Sequence, residues 1–261
     1  MAEMLPQQRH RHILEELNRF GQVRVTELSH ELGISEMTVR RDLNALAGAG
    51  ELVKVHGGAT LEQSATSIEP GFVRKLGLAA AEKEALAVHA ARLIEPGMSV
   101  ALNSGTTTYA LAGQCIGIDD LTVITNSPRI AEVFYSAENP SQTIILTGGI
   151  RTPSDALVGP LATAALAQLH VDICFMGVHG MTAEDGFTTP NMLEAQANRA
   201  FMASAARQVV VADHSKWGIT GLCQISPLDA ADILITGDAL SPEAAEAVRQ
   251  SIETLLLAPT A

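Results

Sequence analysis

Three segments in the second half of the sequence combine small, hydroxyl and amide residues in a way that suits phosphate binding. Each follows a short apolar run: Asn103-Ser104-Gly105-Thr106-Thr107, Asn126 with its neighbours, and Gly148-Gly149-Ile150-Arg151. Small side chains let backbone N–H groups approach an anion, hydroxyl groups donate hydrogen bonds, and a following helix adds the positive end of its dipole. The guanidinium group of Arg151 would add a fork of donors. One such turn is commonly structural, but three of them after successive parallel strands are expected to meet at one edge of a sheet.

Two further segments carry polar residues that suit a sugar ligand. Asp213 and Lys216 follow another apolar run, and they could bind sugar hydroxyl groups and phosphate or pair with each other on the surface. His179 lies in a glycine-rich segment that we expect to close beside the pocket, where a lone histidine is more often structural than a ligand contact. No two histidines have metal-ligand spacing, and we predict no metal, no cofactor and no catalytic residue.

A different chemistry is indicated in residues 23–50. Gly33 is suited to the turn between two short helical patterns, and Ser35 stands where the next helix needs an N-cap. With the apolar positions of that helix facing the core, its polar positions face outward, as in a recognition helix that reads base edges in the major groove. The alternative is that Arg40-Arg41-Asp42 is simply a solvated helix face. The predicted DNA-binding residues are Ser35, Glu36, Thr38, Arg40, Arg41, Asn44, and, on a hairpin arm, Lys54 and His56.

Hydrophobic periodicity predicts the elements that would position these residues. In the first sixty residues it predicts helices over 7–20 and 25–32, a third helix from residue 35, and a β-hairpin around 52–58. From residue 76 it predicts helices that alternate with continuous apolar strands, which indicates an α/β fold with a Rossmann-like parallel sheet covered on both faces. These helices are predicted at 81–94, 107–114, 128–137, 161–169, 193–207 and 242–257, and the strands at 99–102, 121–125, 143–146, 173–178, 209–212 and 233–236.

The predicted organisation is two domains of unequal size. Residues 1–61 form a small winged helix-turn-helix domain, residues 62–75 a linker, and residues 76–261 a larger effector-sensing α/β domain. The linker is predicted because residues 62–71 are small and polar and include Pro70-Gly71.

Composition limits the class of protein. The chain has 261 residues, of which 47% are hydrophobic, so a sizeable core is available. It contains neither an apolar run long enough to cross a bilayer nor an N-terminal signal pattern, and its three cysteines are widely spaced, which predicts a cytoplasmic protein with reduced thiols. The net charge of −12 belongs almost entirely to residues 62–261, because residues 1–61 carry seven Lys or Arg and eight Asp or Glu. The overall acidity therefore does not exclude DNA binding.

The motifs together resemble the DeoR/GlpR family of repressors. The resemblance rests on Glu27-Leu28, the run from Gly33 to Leu43, and Val55-His56-Gly57-Gly58-Ala59, and it continues through Ser104-Gly105-Thr106-Thr107 to Asp213-His214-Ser215-Lys216-Trp217. It implies a winged helix-turn-helix and a sensor domain that resembles sugar-phosphate isomerases in fold. It also implies a repressor of a carbohydrate operon that a phosphorylated sugar, or a related metabolite, releases from operator DNA.

Two positions depart from the family's pattern. Many members have aspartate where this chain has Asn103, and many have a lysine in the helix after Glu194, where this chain reads Ala195-Gln196-Ala197-Asn198. Two polar contacts of the pocket are therefore altered, which leaves room for a different effector.

Two alternatives stay open. The first is an isomerase-like enzyme fused to a DNA-binding module, with possible acids and bases at Asp172, Glu194, Asp213 and Lys216. The second is a DNA-binding structural protein with a vestigial sensor. Because one winged helix gives limited affinity, we also expect a homo-oligomer, a dimer or a tetramer.

Overall fold

A computed structural model describes residues 6–20, 22–49, 51–55, 57–60 and 71–259. The chain divides into two compact units, Met1–Ile68 and Glu69–Ala261. None of the described helices is long and apolar enough to cross a membrane.

The first unit is a three-helix domain with a small antiparallel sheet. Its apolar core joins the three helices, with Leu17, Leu28 and Leu43 nearly inaccessible to solvent. The strands are arranged in the order β1-β3-β2, which is the winged helix-turn-helix that the sequence predicted. The elements are α1 (Pro6–Phe20), β1 (Gln22–Arg24), α2 (Val25–Leu32), α3 (Glu36–Gly48), β2 (Val53–Val55) and β3 (Gly58–Thr60).

Two local features mark the ends of α2 in the first unit. Gly33 ends α2 with a φ of 62°, a left-handed conformation that costs glycine little. Arg24 precedes α2 without a side-chain cap, and the first N–H of the helix, from Val25, donates instead to the carbonyl of Gly57 at 2.9 Å. The turn of the wing therefore supplies an acceptor for one of the N–H groups that have no partner within the helix.

The second unit is built on a seven-stranded parallel sheet of order β15-β14-β12-β9-β4-β5-β6, with apolar clusters on both faces. This confirms the predicted Rossmann-like architecture. The helices are α4 (Phe72–Leu76), α5 (Ala80–Ala91), α6 (Thr106–Cys115), α7 (Pro128–Ala137), α8 (Pro160–Leu166), α9 (Met192–Ser204) and α10 (Pro242–Arg249). The strands are β4 (Ser99–Leu102), β5 (Thr122–Thr125), β6 (Thr143–Leu146), β7 (Ile150–Arg151), β8 (Leu157–Val158), β9 (Val171–Met176), β10 (Gly180–Thr182), β11 (Gly186–Thr189), β12 (Ala205–Val211), β13 (Cys223–Ser226), β14 (Ile233–Gly237) and β15 (Thr254–Ala258).

The C-terminus differs from the sequence prediction of one helix over 242–257. The helix α10 ends at Arg249, and β15 adds a parallel edge strand to β14. Leu255, Leu256 and Leu257 are apolar in both helical and strand periodicity, so the pattern alone does not distinguish the two. Pairing with β14 supplies hydrogen bonds to the backbone of this segment and covers the edge of the sheet.

The segment predicted to be a linker includes the start of α4. Phe72 is buried, its ring meets the ring of Tyr109 edge-on at a centroid distance of 5.6 Å, and the guanidinium carbon of Arg129 lies 4.7 Å from the Phe72 centroid. Phe72 is therefore packed within the second unit, while residues 61–70 lie outside the described part of the chain. The division into residues 1–61, 62–75 and 76–261 therefore remains a prediction.

Candidate functional site

The N-terminus of α6 lies at the carboxyl edge of the parallel sheet, directly after β4. Gly105 is the N-cap residue, and because glycine has no side chain the first amides of α6 are not covered by a capping group. The backbone N–H of Ser104 donates to Oδ1 of Asn126 at 2.9 Å, and Nδ2 of Asn126 donates to the carbonyl of Leu157 at 3.0 Å. Asn126, which is buried directly after β5, thus holds the loop between β4 and α6 in place.

A cleft opens in front of this helix terminus. The cleft is open to solvent, and the space of about 610 Å³ in front of the helix includes its open mouth. Its lining residues are Lys75, Leu78, Lys83, Ser104, Gly105, Thr106, Thr107, Gly177, Val178, His179, Thr189, Glu194, Asn198 and Lys216. The whole sequence contains four lysines, and three of them line this cleft.

Lys83 is the most enclosed of the three lysines. Its side chain leaves α5 and Nζ donates to the carbonyl oxygens of Lys75 at 2.7 Å and Leu78 at 2.5 Å. Burial lowers the pKa of Lys83 to about 8; the carboxylate of Asp213 opposes this shift, and the positive charges of Lys216 and Lys75 add to it. The mutual influence of these charges shows that the lysines share one electrostatic environment.

The positive charges of the lysines also lower the pKa values of His179 and Asp213. Burial lowers the pKa of His179 to about 4, with a further lowering from Lys75 and Lys216, so its imidazole is neutral at pH 7. Asp213 is buried, which opposes its ionisation, but the charges of Lys216 and Lys83 and a hydrogen bond from Ser215 outweigh burial and lower its pKa. The cleft therefore combines cations, a helix N-terminus and a neutral imidazole, an arrangement suited to a phosphate group.

Another part of the cleft wall comes from α9. Glu194 and Asn198 are one helical turn apart, and both are buried and line the cleft. Oε1 of Glu194 accepts hydrogen bonds from the hydroxyl groups of Thr152, at 2.6 Å, and Ser154. Nδ2 of Asn103 donates to Oδ1 of Asn198 at 3.1 Å. Asn103, which departs from the family's pattern, is therefore in direct contact with a residue of the stretch in which many members have a lysine.

In the first unit, α3 has the polar outer face expected of a recognition helix. Oγ of Ser35 accepts from the backbone N–H of Thr38 at 3.2 Å, which confirms the predicted N-cap. Arg40 and Glu36 form an exposed ion pair at 3.0 Å, and the side chains of Arg41, Asn44 and Lys54 are also exposed. His56 lies outside the described residues.

Asp42 does not belong to that exposed face. It is buried on α3, where its carboxylate accepts hydrogen bonds from Arg9 of α1 at 2.8 and 3.1 Å and contacts Nε2 of His10 at 3.1 Å. Burial opposes the ionisation of Asp42, but these two partners outweigh it and lower its pKa. The alternative in which Arg40-Arg41-Asp42 is a solvated helix face therefore does not hold for Asp42, which holds α3 against α1.

Comparison with known proteins supports both units. Residues 9–65 match the DeoR-like helix-turn-helix domain, and residues 78–238 match the DeoR C terminal sensor domain. The chain belongs to the DeoR family of transcriptional regulators. It is 35% identical to the HTH-type transcriptional regulator GolR of Listeria innocua, over 91% of this chain and 93% of that one. It is 34% identical to the putative aga operon transcriptional repressor of Escherichia coli O157:H7, over 96% and 93%.

Among solved structures, the ribose 5-phosphate isomerase A of Methanocaldococcus jannaschii overlaps 52% of this chain and 53% of that chain, at 19% identity and a TM-score of 0.37. So partial an overlap carries no functional argument. As a DeoR-family member the chain is a DNA-binding transcriptional regulator rather than an enzyme.

The structure of this DeoR-family regulator brings half of the predicted effector residues into one cleft, namely Ser104, Gly105, Thr106, Thr107, His179 and Lys216. Asn103 and Asn126 are not among the lining residues, but their side chains hydrogen-bond to two that are, Asn198 and Ser104. The buried Asp213 interacts with the positive charges of Lys216 and Lys83. The residues of the third turn, Gly148, Gly149 and Arg151, are not among those that line this cleft. Arg151 donates to Asp155 at 2.7 Å, and Gly149 packs so closely on β8 that a Cβ would lie 2.5 Å from the carbonyl oxygen of Val158.

Two lysines that line the cleft, Lys75 and Lys83, were not among the residues predicted from the sequence. Lys75 falls in the predicted linker, and Lys83 lies in an alanine-rich helix whose amphipathic pattern is weak. Neither position has a local signal of ligand binding, because the fold of α4 and α5 around the sheet alone brings them to the cleft.

Proposed function

We propose that this DeoR-family regulator represses a carbohydrate operon and leaves its operator when a phosphorylated sugar binds in the cleft. The observation that carries the proposal is the convergence of three of the four lysines of the chain on the N-terminus of α6. Three ammonium groups and free helix-terminal amides favour a phosphate, and the polar groups of α9 favour the hydroxyl groups of a sugar.

The proposed roles follow from these positions. Lys75, Lys83 and Lys216, with the amides and hydroxyl groups at Thr106 and Thr107, bind the phosphate. Ser104, Gly105 and His179 complete the effector site, while Asn103, Asn126 and Asp213 keep its parts in position. Gly148, Gly149 and Arg151, which the sequence analysis assigned to the effector, are left out because Arg151 pairs with Asp155 and Gly149 packs on β8.

On DNA, the proposed contacts come from the exposed face of α3 and from the wing. Ser35, Glu36, Thr38, Arg40, Arg41 and Asn44 would face the major groove, and Lys54 and His56 the neighbouring backbone. Such a regulator acts where the DNA is, so a cytoplasmic location forms part of the proposal.

Release from DNA requires that operator DNA and the effector stabilise different conformations of the protein. In our proposal the sensor units associate as a dimer or tetramer and hold two or more DNA-binding units at the spacing of repeated half-sites. The effector stabilises a conformation in which that spacing fails. Sedimentation of the protein with and without DNA tests this step, and a monomer under both conditions would contradict it.

The test of the proposed function is a titration of labelled DNA from the region upstream of the gene that encodes the protein. Fluorescence anisotropy would measure DNA affinity while a panel of sugar phosphates is added. We expect one compound to release the DNA from the unmodified protein and from Arg92→Met, which removes an exposed charge outside the cleft lining. Lys216→Met should keep its DNA affinity and lose the response. A protein that binds DNA tightly but ignores every compound would refute the effector assignment.

A further inference from the structure

The first turn of α3 carries a large apolar side chain that faces solvent. Met37 is 75% exposed, and among the described residues of the first unit it is the only one with an exposed large hydrophobic side chain. The apolar residues that attach α3 to the core, Val39, Leu43 and Leu46, are buried on the other side of the helix. Met37 therefore contributes little to the packing of the first unit and is free to meet a partner.

Met37 belongs to the same stripe of α3 as three residues already proposed to contact DNA. Arg40, Arg41 and Asn44 follow it at intervals of three, four and seven residues, which places all four on one side of the helix, and all four are exposed. In helix-turn-helix proteins the early residues of the recognition helix approach base edges in the major groove. Met37, in the first turn, is therefore placed to reach base edges when this stripe faces DNA.

The polar neighbours of Met37 bond to one another. Oγ of Ser35 lies 2.9 Å from Oγ1 of Thr38, and Nη2 of Arg40 donates to Oε2 of Glu36 at 3.0 Å. These contacts engage polar groups on either side of Met37, whereas its own side chain has no strong hydrogen-bonding group. What Met37 can offer a base is an apolar surface.

Thymine has the matching feature. In the major groove the base pairs present nitrogen and oxygen donors and acceptors, and the C5-methyl group of thymine is the apolar group among them. Contact with Met37 would remove both apolar surfaces from water, which is favourable in proportion to the area buried. The unbranched, flexible side chain of methionine can adapt its shape to a methyl group.

We propose that Met37 packs against the C5-methyl group of a thymine in the operator and so determines a preference for thymine at that position. This inference rests on the proposed function, because it requires that the exposed face of α3 lies in the major groove. It adds an apolar contact to the polar DNA contacts proposed above.

The experiment removes one methyl group at a time from the DNA. Each thymine of the operator fragment is replaced in turn by uracil, which differs from thymine only in lacking the C5-methyl group. Fluorescence anisotropy measures the affinity of the full chain for each fragment at one fixed salt concentration. We expect uracil at the position that Met37 contacts to weaken binding by about fourfold, the effect of one buried methyl group.

Two variants assign that sensitivity to Met37. Met37→Ala should weaken binding to the unmodified operator by about fourfold or more, and uracil at the sensitive position should then cause no further loss, because the methyl group has lost its contact. Its melting temperature should be unchanged, since Met37 is exposed and alanine favours a helix. Met192→Ala removes the same side chain from α9, where it is 64% exposed, and should bind every fragment as the unmodified protein does.

Methylated cytosine supplies a test by rescue. Cytosine in place of the contacted thymine, with guanine opposite, removes the methyl group and also changes the polar groups of the base pair, whereas 5-methylcytosine restores a methyl group at C5. The unmodified protein should bind the fragment with 5-methylcytosine about fourfold more tightly than the fragment with cytosine. Met37→Ala should bind these two fragments equally.

The possible failures are distinguishable. If no thymine of the operator shows a sensitivity to uracil that Met37→Ala abolishes, this inference is overturned, and the proposed function stays intact as long as Arg41→Ala weakens binding. If the unmodified protein does not bind the operator fragment at all, the proposed function fails and the inference fails with it.

Discussion

The depressed pKa of Lys83 predicts a specific pH dependence of effector binding. A phosphate favours the ammonium form, whereas the empty cleft holds the pKa of Lys83 at about 8. Affinity should therefore be nearly constant below pH 8 and fall as the pH rises through it. With that pKa, the protonated fraction is about 0.9 at pH 7 and about 0.1 at pH 9, so loss of the charged form reduces affinity by up to about tenfold, or about 1.4 kcal/mol.

Calorimetry with the tightest-binding sugar phosphate at pH 7 and pH 9 measures this effect. The second ionisation of a phosphate, near pH 6, is complete over that range, and the pKa of His179 lies far below it, so neither group contributes. Binding near pH 8 should also take up protons, which appears as an enthalpy that depends on the ionisation heat of the buffer.

Lys83→Met is the matched variant, since it keeps most of the apolar stem and removes the titrating group. Its affinity should be weaker at pH 7 and nearly the same at pH 9 as at pH 7. The stability of the free protein should respond in the opposite sense, because the unfolded chain binds more protons than the folded chain between pH 8 and the ordinary lysine pKa, so stability rises there with pH. An affinity that is flat from pH 7 to pH 9 in the unmodified protein would refute the assignment of Lys83 to the phosphate.

Three further outcomes are expected. Arg41→Ala should weaken operator binding by about 1–3 kcal/mol in an anisotropy titration while the melting temperature is unchanged, because its side chain is exposed on α3. Arg9→Ala should reduce the free energy of unfolding by about 3–5 kcal/mol in urea melts, since it leaves Asp42 buried without its main partner. The contribution of Asp42 is present at neutral pH and should be lost as the pH falls through its lowered pKa. Gly149→Ala, at a φ of 127° against the backbone of β8, should lower the melting temperature more than Gly148→Ala, around which a Cβ meets nothing within 4 Å.

Most of the second unit was predictable because its parallel strands are buried on both faces and read as short, continuous apolar runs. The strand Ser99–Leu102 and the helix Pro128–Ala137 have the bounds that the sequence predicted. The small sheet β10-β11-β13 was not predicted, because β13 comes more than thirty residues after β11 in the chain and no short turn signal joins them. Local patterns indicate elements well when a short turn or a buried run marks them, and poorly when a distant partner decides them.

The residues of the candidate cleft likewise include some that local sequence patterns predict and others that only distant contacts bring together. The turn after β4 was predictable from Ser104 and Gly105, since small residues before a helix suit an anion wherever the fold places them. Lys83 was not predictable, because its approach to the cleft depends on how α5 packs. The assignment of Arg151 to the effector stays a prediction, and its guanidinium group pairs with Asp155, a buried aspartate four residues later. The contact between Asn103 and Asn198 also joins residues 95 positions apart, which no local pattern reports.

The most direct test of the account is the reciprocity between the two ligands. DNA affinity would be measured with and without saturating effector, and effector affinity with and without operator DNA, in the same buffer. The account predicts that each ligand weakens the other by the same factor, on the order of 5- to 150-fold, and that Lys216→Met abolishes both effects without changing DNA affinity in the absence of effector. Two ligands that bind with no influence on each other would contradict it.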